Sequence, residues 1–373
     1  MKPVFVNAKY DVQGLTYASY TGVPTGVIYA GDDAAEIEYF DQTYAQMSAD
    51  LHATFQGEDV QISSVSRDRK HYIAYAIGPT NPGGVYHYVD TDKNEIAEVG
   101  RKYPGLTPQD IGTVKYFTYA ARDGLAIPAY LTLPNGSTGK NLPLVVMPHG
   151  GPEARDYGGY DGWAQFLASR GYAVLQPQFR GSDGFGKAFR DAGHYQWGLK
   201  MQNDITDGVK NLISTGVADG SRVCIVGWSY GGYASLAGMT LTPELYKCGV
   251  AGAPVSDLPK MLTWVSKRLG RDLRPDDYWV KRIGHPIKDL DRLNATSPAQ
   301  HADAVRAPIL LIHGRNDTTV PYEQSEFMLA ALTKAGKTAN LVSIDGDDHY
   351  LSKSSTGIEF FKQLESFLGT NLK

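Results

Sequence analysis

The chain has 373 residues, enough for two domains of ordinary size. Hydrophobic residues make up 42% and charged residues 20%, as in ordinary globular proteins, and no apolar run approaches the ~20 residues of a membrane helix. The formal net charge of −4 provides no general attraction to nucleic acid or to anionic membranes, so we expect neither as a partner.

Residues 1–111 are predicted to form a small β-rich region. Short strand-like runs are separated by stretches rich in Gly, Pro, Asn and Asp, which are typical of turns. These runs are residues 26–30, 61–65, 72–77 and 85–89. Helical periodicity is present only near residues 40–54, so we expect several short strands and a single helix.

Charge is unevenly distributed in this first region. Residues 11–66 contain no Lys or Arg, but they contain nine Asp or Glu residues. A solvated acidic face is the simplest interpretation of this pattern, and an acidic docking surface is the alternative.

The start of the chain and the number of cysteines both indicate in which cellular compartment the protein is expected. Residues 1–11 lack the apolar h-region of a secretory signal, so we expect a cytoplasmic protein if the chain is complete. Cys224 and Cys248 are the two cysteines, too few for a disulfide scaffold, and both lie in apolar strand-like runs. We therefore expect both to be buried free thiols.

Residues 112–373 are predicted to form an α/β domain. Two alternating strands, 114–119 and 126–133, are followed by apolar strand-like runs that alternate with helical segments. The later strand-like runs are residues 144–147, 173–176, 223–226, 248–251, 309–312 and 340–344, and the helical segments are 161–169, 204–214, 230–239, 323–335 and 358–368. Short buried strands between helices indicate a mostly parallel sheet covered by helices on both faces.

A candidate nucleophile lies where one of these strands meets a helix. Gly227, Ser229 and Gly231 form the pattern G-x-S-x-G directly after the strand 223–226. This is the context of a nucleophile elbow, a sharp turn that exposes the serine hydroxyl at the top of an α/β-hydrolase sheet. We therefore predict an α/β-hydrolase fold with Ser229 as the nucleophile.

A serine hydroxyl needs a base, and the base needs an orienting carboxylate. In this fold the order along the chain is serine, acid, histidine, with the last two on loops that follow later strands. Asp317 follows the strand 309–312, and His349 follows the strand 340–344. The sequence therefore predicts a catalytic triad of Ser229, Asp317 and His349.

Other residues compete for these roles. Asp345, Asp347 and Asp348 share a loop with His349, and Asp257 follows the strand 248–251. His313 is an alternative base, although its place at a strand end before a glycine favours a supporting role. Asp257 is the stronger rival for the acid.

An oxyanion hole requires N–H donors aimed at the developing negative charge. One donor is expected to be the backbone N–H of Tyr230, the residue after the nucleophile. The strand 144–147 is followed by paired glycines, Gly150 and Gly151, where the backbone can approach a substrate closely. We assign the second donor to Gly151.

No metal site or cofactor site is predicted. No cluster of His, Cys and carboxylate residues has the spacing of metal ligands, and residues 181–186 lack the strand and helix that frame a phosphate loop.

Six motifs together resemble the prolyl oligopeptidase family of serine peptidases, with the acylaminoacyl-peptidase and dipeptidyl-peptidase branches closest in pattern. In chain order they are HGGP (149–152), FRGSDGFG (179–186), GWSYGGYAS (227–235), GAPVSD (252–257), HGRNDTTVP (313–321) and GDDHYLS (346–352). The resemblance implies an α/β-hydrolase catalytic domain over residues 112–373. It also implies that residues 1–111 are a partial β-propeller cap, long enough for roughly two blades.

The resemblance implies a substrate pocket and a reaction. The lining positions match Val255, Leu258, Met261, Trp264, Val265 and Val320. A flexible aliphatic lining argues against strict proline specificity, and Thr319 stands where such peptidases commonly have Arg or Asn. The implied reaction is hydrolysis of small peptides or acyl-amino-acid derivatives through an acyl-enzyme.

Three points stay open from the sequence. A carboxylesterase acting on short acyl esters is the alternative activity, and a binding domain that has lost catalysis is the alternative from another class. An incomplete cap would also expose apolar area that favours a homo-oligomer.

Overall fold

The computed structural model describes residues 4–372 and contains two small antiparallel sheets before the large sheet. The first has β1 (Val12–Tyr17), β2 (Pro24–Ala30) and β3 (Ala35–Tyr39); the second has β4 (Asp59–Val65), β5 (His71–Ile77), β6 (Val85–Asp90) and β7 (Glu95–Arg101). Helix α1 (Gln42–Thr54) connects them and packs on β4–β6. The predicted β-rich region with a single helix is confirmed.

Eight further strands form one sheet in the order β15-β14-β13-β12-β10-β11-β9-β8. They are β8 (Thr113–Ala120), β9 (Ala126–Leu133), β10 (Leu142–Val146), β11 (Ala173–Pro177), β12 (Ala218–Trp228), β13 (Cys248–Gly252), β14 (Ile309–Gly314) and β15 (Ala339–Ile344). The strands β10 to β15 are parallel, whereas β9 is antiparallel to both β8 and β11. The loops that follow β10, β12, β14 and β15 therefore lie at one edge of the sheet.

Helices cover both faces of this sheet. They are α2 (Gly162–Ser169), α3 (Lys187–Asp191), α4 (Lys200–Ser214), α5 (Tyr230–Leu241), α6 (Leu258–Leu269), α7 (Tyr278–Ile283), α8 (Leu290–Ala295), α9 (Glu323–Lys334) and α10 (Ser354–Asn371), with 3₁₀ segments at Pro108–Asp110, Pro243–Leu245 and Pro298–Ala304. Buried residues of α2 and α10 share one apolar cluster with the sheet, and those of α4, α5, α6 and α9 share another. The predicted α/β-hydrolase architecture is confirmed.

The expectation that Cys224 and Cys248 are free thiols is wrong. Cys224 on β12 and Cys248 on β13 form a disulfide, with their Cα atoms 4.8 Å apart. They are direct partners in the parallel register of the two strands, which brings their side chains to the same face. Strand register, which the sequence alone does not give, accounts for the pairing.

Within residues 4–372, no helix combines the length and the apolar character needed to cross a membrane.

Candidate active site

Ser229 occupies a strained turn between β12 and α5. Its φ is 60° and its ψ is −118°, a combination that non-glycine residues rarely adopt. Its N–H donates to the carbonyl of Gly252 (2.8 Å), and its carbonyl accepts from Tyr233 (3.0 Å). The serine is thereby held at the N-terminus of α5, where the helix dipole favours negative charge.

Glycines let the backbone segments around Ser229 approach one another. A Cβ added at Gly231 would overlap the carbonyl oxygen of Pro148, in the loop after β10. A Cβ at Gly227 would overlap the backbone of Gly231. Gly231 is therefore required by close packing against the loop that carries Gly150 and Gly151, and Gly227 by close packing against Gly231.

Asp317 and His349 are in direct contact at the same sheet edge. Nδ1 of His349 donates to Oδ2 of Asp317 over 2.6 Å, and both side chains are buried. Oδ1 of Asp317 accepts from the N–H groups of Thr319 (2.7 Å) and Val320 (2.9 Å). Burial opposes the charge on Asp317, but hydrogen bonds from His313, His349 and Val320 outweigh it and hold the pKa of this carboxyl well below its ordinary value.

The loop that carries His349 is hydrogen-bonded to the turn that carries Ser229. Nε1 of Trp228 donates to the carbonyl of His349 over 2.7 Å, so the residue before Ser229 anchors the histidine backbone. With Nδ1 directed at Asp317, the ring presents Nε2 as its other nitrogen. Within the described residues, no hydrogen bond joins Nε2 to Ser229, and Nε2 is available to accept a proton. Such contacts often tighten only when substrate binds.

The rival carboxylates are bound elsewhere. Asp347 accepts from the backbone of Asp348 (2.9 Å) and Ser352 (3.1 Å), which shapes the histidine loop. Asp345 is exposed and 3.5 Å from Arg315. Asp257 caps α6 through the N–H of Lys260.

The loop after β10 lies against Ser229, the predicted nucleophile. A Cβ built on Gly150 would lie 3.6 Å from Cβ of Ser229, and Gly151 has a φ of 117°. His149 stacks on Phe179 with ring centroids 4.3 Å apart, and burial lowers its pKa to about 4. A neutral, packed His149 therefore supports the loop that carries the predicted oxyanion donor Gly151.

Tyr230, the other predicted donor, is the first residue of α5. Its side chain is buried between Phe179 and Trp197, with ring centroids 5.1 and 4.5 Å away. Packing of this ring fixes the helix start, and the role of the Tyr230 backbone N–H as an oxyanion donor stays a prediction.

A cavity of about 300 Å³ opens beside His349. Trp163, Trp228 and Tyr350 contribute aromatic walls, and Asp156 also lines it. Burial, together with the nearby charge of Asp161, raises the pKa of Asp156 to about 8. This cavity is not evident from the sequence, because its walls come from segments far apart in the chain.

The predicted pocket residues lie in the core. Val255, Leu258, Met261, Val265 and Val320 are at most 7% exposed and belong to one buried cluster, and Trp264 packs against that cluster. That cluster extends through most of the core, and the cavity beside His349 has other walls. Their role as a substrate pocket stays a prediction.

Within residues 4–372, no group of three or more His, Cys, Asp or Glu side chains is arranged to hold a metal ion.

Comparisons with known proteins extend these observations. The sequence model of the prolyl oligopeptidase family matches residues 159–373. Dipeptidyl aminopeptidase BIII of Pseudoxanthomonas mexicana is 33% identical over 83% of this chain and 46% of that protein. Dipeptidyl peptidase family member 6 of Caenorhabditis elegans is 32% identical over 83% of this chain and 44% of that protein. The chain thus spans about half the length of these relatives.

Solved structures agree at the level of the fold. A puromycin-hydrolyzing peptidase of Mycobacterium tuberculosis superposes with a TM-score of 0.79, at 23% identity, over 98% of this chain and 56% of that one. Because the family's sequence model accounts for more than half of the chain, and relatives about one third identical extend the match toward its start, this protein belongs to the prolyl oligopeptidase family.

Proposed function

We propose that this protein is a serine hydrolase that cleaves peptide bonds through an acyl-enzyme. Ser229 attacks the carbonyl carbon while Nε2 of His349 takes its proton, and Asp317 holds the imidazole in the required tautomer. The N–H groups of Gly151 and Tyr230 stabilise the oxyanion. The protonated His349 then gives its proton to the leaving amine, and water attacks the ester of Ser229 to release the acid.

One observation carries this proposal: the 2.6 Å contact between Nδ1 of His349 and Asp317. An ionised carboxylate can only accept, so the proton of the neutral ring is on Nδ1 and Nε2 carries the lone pair. This is the form that a general base needs. Ser229 in its strained turn and Trp228 bound to the His349 backbone bring the base and the nucleophile to one sheet edge.

Short peptides and acyl-amino-acid derivatives are the proposed substrates. Two relatives bear the name dipeptidyl peptidase or aminopeptidase, and one structural neighbour is described as hydrolysing puromycin, in which an amide joins an amino acid to a nucleoside. Each name describes the relative or structural neighbour that carries it. The chemistry common to them is cleavage of an amide bond next to an aminoacyl group.

A substrate panel tests the proposal. Purified protein is assayed with aminoacyl anilides, dipeptidyl anilides, acylaminoacyl anilides and nitrophenyl butyrate, beside the variant Ser229→Ala. We expect anilide cleavage that falls to background in the variant. Ester turnover without cleavage of any anilide would select a carboxylesterase instead, and activity that persists in Ser229→Ala would contradict the assignment of the nucleophile.

A further inference from the structure

A second histidine contacts the carboxylate that orients His349. His313, near the end of β14, is fully buried, and its Nε2 lies 3.2 Å from Oδ2 of Asp317. The same oxygen accepts from Nδ1 of His349. Because the other oxygen accepts two backbone N–H groups, Asp317 receives four N–H donors and its carboxylate has no freedom to rotate.

The partners of His313 define its tautomer. Nε2 is also 3.1 Å from the carbonyl oxygen of Val320, and neither that oxygen nor an ionised carboxylate can donate. The proton of the ring is therefore on Nε2. Nδ1 lies 2.8 Å from Oγ of Ser325 on α9, so the hydroxyl of this buried serine donates to it.

We propose that His313 is a positioning residue for the reaction: held by Ser325, it fixes the Asp317 carboxylate so that His349 keeps its proton on Nδ1 and its lone pair on Nε2. This inference rests on the proposed function. The chain of contacts from Ser325 through His313 and Asp317 to His349 links α9 and β14 to the reacting atoms.

Other groups around Asp317 have different partners. Tyr322 packs on the ring of His313, with centroids 5.3 Å apart, and its hydroxyl bonds to Ser343. Arg268 of α6 donates to the carbonyl of Thr318, next to Asp317 in the chain. Among the described side chains, His313 and His349 are the two whose nitrogens bond to the Asp317 carboxylate.

Substitution of His313 tests the proposal. His313→Leu removes the donor, whereas His313→Gln replaces it with an amide N–H at similar reach. We expect kcat for the best anilide to fall about 10- to 100-fold in His313→Leu, the rate equivalent of one charged hydrogen bond, with KM within about threefold of wild type. His313→Gln should recover most of this loss, and Ser325→Ala should lower kcat about 2- to 10-fold.

A spectroscopic measurement separates positioning from general destabilisation. The Nδ1–H that His349 donates to Asp317 should give a far-downfield proton resonance in wild type and in His313→Gln. In His313→Leu it should move upfield or exchange too fast to be seen. Leu212→Ala, a buried change on α4, serves as the control for lost stability and should keep both the resonance and kcat.

Clear outcomes would overturn the proposal. One is a folded His313→Leu protein with wild-type kcat and an unmoved resonance; another is an equal loss in His313→Gln and His313→Leu. If His313→Leu does not fold, wild-type kcat in Ser325→Ala with an unchanged resonance would overturn it. If wild type cleaves no substrate, the proposed function fails, and the resonance still reports whether His313 controls the Asp317–His349 bond.

Discussion

At the scale of single residues, two buried carboxylates lie near the sheet edge and differ in what they bind. Asp317 binds two histidine rings and two backbone N–H groups, whereas Asp257 caps α6 and pairs with Lys260 at 2.9 Å. A carboxylate committed to a helix N-terminus and a lysine cannot also orient His349. This difference supports Asp317 as the acid, a role that stays a prediction until it is tested.

Paired substitutions separate the two carboxylates. Asp317→Asn should lower kcat by roughly 10⁴-fold, because an amide N–H facing His349 favours the wrong tautomer. Asp257→Asn should leave kcat within a few-fold of wild type, since asparagine also caps helices well. Steady-state hydrolysis of the best substrate checks both, and a reversal of the two results would move the acid to Asp257.

Protonation of Asp156 is expected to make the stability of the folded protein depend on pH. Burial, then the charge of Asp161, raises its pKa to about 8, so the folded protein keeps a proton that the unfolded chain releases near pH 4. Between about pH 4 and pH 8, the native state therefore binds more protons than the unfolded chain does. The contribution of Asp156 to stability therefore decreases as pH rises from about 4 to about 8 and then levels off.

Asp156→Asn removes this dependence and keeps a partner for the side-chain amide of Gln178. Its Tm should exceed that of wild type by an amount that grows between pH 5 and pH 8. Thermal unfolding across this range measures the difference, with exposed Asp303→Asn as the control. A difference that is constant with pH would show that Asp156 has no raised pKa.

At the scale of elements, the apolar runs at β10, β12, β14 and β15 predicted where the loops of the site begin, because buried parallel strands have a strong sequence pattern. Contacts between elements were not predictable in the same way. The hydrogen bond from Ser325 to His313 depends on how α9 docks, and the cavity beside His349 combines distant segments. The inner strands were therefore predicted well, and side-chain partners were predicted less well.

The disulfide between β12 and β13 is another contact that depends on register. Protein unfolded in guanidinium without reductant should release no thiol to a thiol-reactive dye, and two thiols after reduction. Replacement of Cys224 and Cys248 by alanine should lower the free energy of unfolding by about 3 kcal/mol, from the entropy of the opened loop. Two thiols before reduction would restore the original expectation of free cysteines.

At the scale of the whole molecule, the first small sheet is fastened to loops of the large one. Arg155, four residues after Gly151, donates to the carbonyl of Gly31 (2.8 Å) and to the hydroxyl of Tyr130 (3.1 Å). Its guanidinium also lies 4.3 Å from the ring centroid of Phe185. Asp11 accepts from the backbone N–H of Gly186 over 3.0 Å, so the N-terminal region also contacts the loop that follows β11. The division at residue 111 stays a prediction.

Arg155→Ala removes the bond to Gly31, which joins the two regions, together with the contacts to Tyr130 and Phe185. We expect the free energy of unfolding to fall by about 2 kcal/mol, because two hydrogen bonds and an aromatic contact are lost together. Chemical denaturation measures the change, with Arg306→Ala, at an exposed position, as the matched control. Equal effects of the two substitutions would mean that the contacts of Arg155 with Gly31, Tyr130 and Phe185 contribute no net stability.

Labelling of Ser229 tests the central claim most directly. Wild-type protein treated with a fluorophosphonate should gain one adduct, which peptide mass spectrometry places on Ser229. His349→Ala should slow this labelling by orders of magnitude, since the serine loses its base. An adduct on another residue, or undiminished labelling of Ser229→Ala, would contradict the account.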